Sequence, residues 1–137
     1  MQRLAASVED YLAGLEADWR RLAELEWGLT VEAAGWPLHV GLAVRDGLLR
    51  AQAEALGPDQ LGDHELLHRN RGMVLARYTH AGDGTVWVEA DLPPAAGDAE
   101  WIDRLLGAVV EAAGVARFRV RAAARAEAQA ARSERSR

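Results

Sequence analysis

Leu38, Val40, Leu42 and Val44 alternate with His39, Gly41, Ala43 and Arg45, and the run ends on Asp46-Gly47. A period of two puts the four large apolar side chains on one face of a strand. Asp-Gly is a strong two-residue hairpin signal because both positions accept positive φ, so the chain folds back along Leu48 to about Leu56. On that return strand Leu49, Ala51, Ala53 and Ala55 face inward and Arg50, Gln52 and Glu54 outward, although its alanine content also suits a helix. Upstream, from Trp27, the residues Leu29, Val31 and Ala33 alternate with Thr30 and Glu32 before a Gly35-Trp36-Pro37 turn. The centre of the chain therefore reads as an antiparallel meander of three strands.

Helical spacing flanks this meander. Val8, Leu12, Leu15, Trp19 and Leu22 are spaced 4, 3, 4, 3 and predict an amphipathic helix, begun a turn earlier by Leu4 and capped by Ser7. Gly57-Pro58-Asp59 breaks the chain, and Asp63 to about Asn70 reads as a short helix stopped by Gly72. Met73 to His80 and Thr85 to Leu92 flank Ala81-Gly82-Asp83-Gly84 as a second hairpin, with Val86, Val88, Ala90 and Leu92 on its core face. Pro93-Pro94 ends the sheet. Asp98 is a candidate N-cap for a last helix with the stripe Trp101, Leu105, Leu106, Val109, Val110 and Ala113, which Gly114 ends or loosens. The order α-β-β-β-α-β-β-α gives an α+β fold: an antiparallel five-stranded sheet with helices packed on one face. No βαβ unit is evident.

A chain of 137 residues suits one domain with one core. We place that domain at residues 1–114 and a basic Ala/Arg-rich tail, a helical extension or a disordered segment, at 115–137. Residues 1–114 carry nine Arg against nineteen acidic residues, a net of −10; the tail carries seven Arg against Glu127 and Glu134, a net of +5. An acidic body repels nucleic acid, while the tail suits acidic partners or folds back on the body. The absence of cysteine excludes disulfides and thiolate chemistry and fits a reducing compartment, so the cytoplasm is expected. Met1 to Asp10 lacks the apolar run of a signal peptide or membrane span.

His64-Glu65-Leu66-Leu67-His68 is a literal H-E-x-x-H, which on a helix sets two imidazoles one turn apart for zinc with the Glu as general base. A zinc hydrolase would need a third ligand and a rigid helix in a cleft. Only His80 and Asp83 are candidates for that ligand, and the host helix is short. The alternative is an exposed polar face with Leu66 and Leu67 turned toward the core; no metal or cofactor is expected. No Ser-His-Asp arrangement and no Gly-rich phosphate loop stands out.

The five Trp residues bear more on binding. Trp19 and Trp101 lie on helix stripes and read as core, and Trp27 and Trp36 bracket the first strand, where partial burial is expected. Trp87 falls on the strand face shared with Glu89 and Asp91, opposite Val86 and Val88, so a large aromatic stands on a polar surface. Interfaces are enriched in aromatics, which makes Trp87, with Glu89 and Asp91, a candidate protein interface. In the tail, Arg117, Arg121 and Arg125 form one stripe if helical, a candidate electrostatic arm for carboxylates or phosphates. With Phe118 as its only aromatic, the tail offers little for stacking on single-stranded nucleic acid.

Leu66-Leu67-His68-Arg69-Asn70-Arg71 running into Val74-Leu75-Ala76-Arg77-Tyr78, then Leu92-Pro93-Pro94 and the helix pattern from Trp101 to Val110, resembles the YbjN family and the type III secretion chaperone-like fold. The resemblance covers about residues 5–114 and leaves the basic tail outside. It implies a homodimer without an active site, engaging a protein client through surface apolar patches or strand addition. Function is thus expected to be non-enzymatic: a chaperone or adaptor. The alternatives are a nucleic-acid binder acting through the tail and a zinc hydrolase acting through His64, Glu65 and His68.

Overall fold

The computed structural model describes residues 2–137. In chain order the elements are α1 (Gln2–Ala13), β1 (Asp18–Ala23), β2 (Glu26–Ala33), β3 (Trp36–Arg45), β4 (Leu48–Leu56), α2 (Asp63–Asn70), β5 (Ala76–His80), β6 (Val86–Leu92), a 3-10 turn (Pro94–Ala96) and α3 (Ala99–Arg135). The strands form one antiparallel sheet in the order β1-β2-β3-β4-β6-β5. The α+β class holds. The sheet has six strands where five were expected.

The extra strand comes from the apparent first helix. Helix α1 stops at Ala13, where the Gly14 and Leu15 amides bond back to the Tyr11 and Leu12 carbonyls, and Trp19 and Leu22 lie on β1. Positions 15, 19 and 22 match helical spacing, yet β1 is an edge strand with only Trp19 partly buried, so it lacks the alternation that would have marked it. Ser7 is not the cap. It sits inside α1 and donates to the Arg3 carbonyl at 3.1 Å.

Strand twist sets the tight turns. Asp46 (φ 54°) and Gly47 (φ 75°) join β3 to β4 with both φ positive, as the sequence predicts. Ala34 (φ 55°) and Gly35 (φ 83°) make the same kind of turn between β2 and β3, so Trp36 and Pro37 open a strand instead of lying in the turn. Pro37 pairs with Glu32 on one side only, because the β3–β4 ladder begins at Val40 and Ala53.

Strand β4 is the expected strand and not a helix. Leu49, Ala51, Ala53 and Ala55 are buried, and the small size of the three alanines lets α3 lie close over β4 and β6. From α3 the core takes Ile102, Leu105, Leu106, Val109, Ala112, Ala113 and Ala116. Trp101 is not core as expected. It is 39% exposed, one position before the true stripe, with the Arg104 guanidinium 5.0 Å from its ring centre. Asp98 caps α3, its Oδ1 accepting from the Trp101 N–H at 3.0 Å. From α1 the core takes Leu4, Val8 and Leu12. Trp27 is fully buried, with its Nε1 donating to Glu9 Oε1 at 3.1 Å, whereas Trp36 is 61% exposed, so neither shows the partial burial expected.

Helix α3 passes through Gly114 without a break to Arg135, so the tail takes the helical form of its two expected forms. Its first part belongs to the packed unit, since Ala116 is fully buried, while 124–137 are exposed. No helix of the described residues is long and apolar enough to cross a membrane.

Candidate protein-interaction surface

Helices α1 and α3 cover one face of the sheet, and among the described residues no helix covers the other. Pleating and register place on that outer face Asp18, Arg20 and Leu22 of β1, Gly28 and Thr30 of β2, His39 and Gly41 of β3, Arg50, Gln52 and Glu54 of β4, Trp87, Glu89 and Asp91 of β6, and Arg77 and Thr79 of β5. Trp87 therefore stands with Glu89 and Asp91, as the alternation predicts. It is half-buried, flanked across the strands by Glu54 and Thr79.

Glu89 and Asp91 are engaged within the sheet. Asp91 bonds Arg50 at 2.8 Å and Arg77 at 3.1 Å, and Arg77 also reaches Glu89 at 3.6 Å. These cross-strand pairs neutralise one half of the outer face. The other half is shaped by glycine. Gly28 pairs with Gly41 in adjacent strands, so no side chain rises there, and Leu22 leans over the gap, 3.2 Å from where a Gly28 Cβ would stand. The result is a shallow hollow of about 460 Å3 between Leu22, His39, Gln52 and Trp87. On its other side Trp87 borders a second hollow of about 600 Å3 with Trp36, Gln60 and Arg121.

The tail arginines separate into two kinds. Arg117 inserts its guanidinium where β3 and β4 splay apart: Nε donates to the Ala55 carbonyl at 3.0 Å, Nη1 to those of Ala33, Trp36 and Pro37 at 3.2 to 3.4 Å, and Nη2 to the Glu54 backbone carbonyl at 3.4 Å. It supplies donors to carbonyls that the divergent ladder leaves open. Burial lowers the affinity of this guanidinium for its proton and Glu54 opposes that, but the group stays charged. Arg121 donates to the Ala34 carbonyl at 2.5 Å, fastening the β2–β3 turn, while Arg125 is exposed. The i, i+4 stripe is visible in the sequence, but that Arg117 and Arg121 face the sheet is not, because backbone carbonyls leave no trace there.

His64 and His68 are exposed on α2. Glu65 between them accepts from Arg69 at 3.1 Å and from Arg119 at 2.9 Å. Desolvation would raise its carboxyl, but the Arg69 and Arg119 hydrogen bonds outweigh it and hold the group below the usual carboxylate range. His80 faces Asp63 at 3.7 Å, and Asp83 accepts the Thr85 N–H at 2.9 Å. Among the described residues no three His, Asp or Glu side chains converge on one point. A groove of about 1000 Å3 beside α2 is lined by Met73, Val74, Tyr78, Glu111 and Val115 among others.

The two sheet edges differ. Strand β5 is closed by the side chain of Asn70, the last residue of α2. No strand of the described residues lies beyond β1. Comparison with protein-family models, with curated proteins and with solved structures gave no match in any of the three.

Proposed function

We propose that this protein is a non-enzymatic protein-binding module, a chaperone-like or adaptor domain that acts in the cytoplasm as a homodimer on a protein client. The observation that carries the reading is Trp87, half-buried on an uncovered sheet face between two hollows and beside a glycine floor. A rigid aromatic beside a hollow floored by Gly28 and Gly41 and overhung by Leu22 fits an apolar side chain of a client, and the nearby ion pairs form a polar rim. Completing the burial of such an indole contributes roughly 2 kcal/mol. The YbjN and type III secretion chaperone-like assignment belongs to the same proposal and is supported by the element order from β2 onward.

Affinity capture tests it. The tagged full chain and a form ending at Ala123, which keeps Arg117 and Arg121, are each used on native lysate. The same client should co-purify with both at stoichiometric yield. An empty capture, or a client lost on removing 124–137, contradicts binding through the sheet face.

A further inference from the structure

The β1 edge presents unpaired backbone over Asp18 to Arg20, with five of the six β1 residues exposed and no covering element among those described. Natural sheets blunt such edges or use them for pairing. Arg21 turns away from the edge: its side chain reaches Glu9 at 3.3 Å and the carbonyls of Ala23 and Glu24, which limits a pairing partner to the first part of the strand. Asp18 and Arg20 both lie on the outer face, and among the described residues neither makes an ion pair.

We infer that β1 is the homodimer seam, pairing antiparallel with β1 of a second copy about a two-fold axis through Trp19. This rests on the homodimer reading above and names its surface. A two-fold that keeps both helical layers on one side of the joined sheet must be centred on a residue, because side chains alternate faces. Centring on Asp18 sets Asp18 against Asp18, centring on Arg20 sets Arg20 against Arg20, and centring on Arg21 does the same for Arg21. Centring on Trp19 alone sets Asp18 of each copy opposite Arg20 of the other, twice. It also brings the two Trp19 rings together on the inner face, where Trp19 pairs with Leu29. The sequence of the strand is complementary to itself in this register, which selects a second copy over an unrelated strand.

Charge exchange tests the register. Mass is measured by sedimentation across micromolar concentrations at low salt for the full chain, Asp18→Arg, Arg20→Asp and the double variant. The full chain should sediment at twice its 14.9 kDa. Each single variant creates two like-charge contacts and should weaken the dimer by at least about 10-fold. The double variant restores opposite charges and should return to within about 3-fold of the original. A merely structural role for these exposed residues would show no such rescue. A dimer unmoved by the single variants, or singles not rescued by the double, overturns the seam and leaves the homodimer reading intact. A monomer at every concentration overturns both.

Discussion

The carboxamide of Asn70 makes to Tyr78 the two hydrogen bonds that a neighbouring strand would make: Nδ2 donates to the Tyr78 carbonyl at 3.0 Å, and Oδ1 accepts the Tyr78 N–H at 2.8 Å. One side chain thus closes β5 at its middle residue, and the end of α2 is fastened to the sheet by the same contact. The Tyr78 hydroxyl, on the inner side, donates to the Ala112 carbonyl of α3 at 2.6 Å. Helix, edge strand and long helix are joined through this one tyrosine.

Asn70→Ala removes both bonds and leaves a partly buried N–H and C=O without partners. We expect a loss of about 1–3 kcal/mol in urea unfolding and faster hydrogen exchange at the Tyr78 amide. Unchanged exchange at that amide would contradict the edge-closing role.

Arg117→Ala withdraws donors from five carbonyls and should cost about 2–4 kcal/mol, and Arg117→Lys should recover less than half of that, since an ammonium cannot span the fork. A chain ending at Ala123 should lose under about 0.5 kcal/mol. Equal stability of Arg117→Ala and the full chain in a urea titration would refute the wedge.

The chain has two tyrosines, and both phenols are shifted upward. Burial is the main cause for Tyr11, helped by its 2.6 Å bond to Asp103, and burial against a weaker opposing effect of Arg69 for Tyr78. Both therefore ionise later in the folded chain than in the unfolded one. Their contribution to stability is complete below pH about 10 and is lost as pH rises through the folded values. At pH about 10 phenolate absorbance should be about half developed in the urea-unfolded protein and lower than that in the native protein. A native Tyr11, followed in a Tyr78→Phe variant, titrating normally would contradict the Tyr11–Asp103 geometry.

The strand alternation, both hairpins, α2 and the Asp98 cap were legible because each rests on local periodicity or turn chemistry. Strand β1 was not, since an edge strand packed on one neighbour needs little apolar patterning and its Leu15, Trp19 and Leu22 happen to keep helical spacing. Trp87 was legible from the period of two; the roles of Arg117 and Asn70 were not, because both act on backbone groups 8 to 84 residues away in sequence. The same distinction applies to H-E-x-x-H, where sequence gives the spacing and only the fold shows Glu65 held between two arginines.

Zinc bears on the non-enzymatic reading. Purified protein equilibrated with zinc should retain well under one equivalent by elemental analysis, with no difference between the full chain and His68→Ala. Stoichiometric zinc that disappears in His68→Ala would contradict it.

Binding through the outer sheet face is the central claim, and titration of the captured client against the full chain and Trp87→Ala tests it most directly. Trp87→Ala should weaken the client at least about 10-fold while its far-ultraviolet dichroism and dimer mass stay unchanged. Equal affinity of the two proteins would contradict the claim.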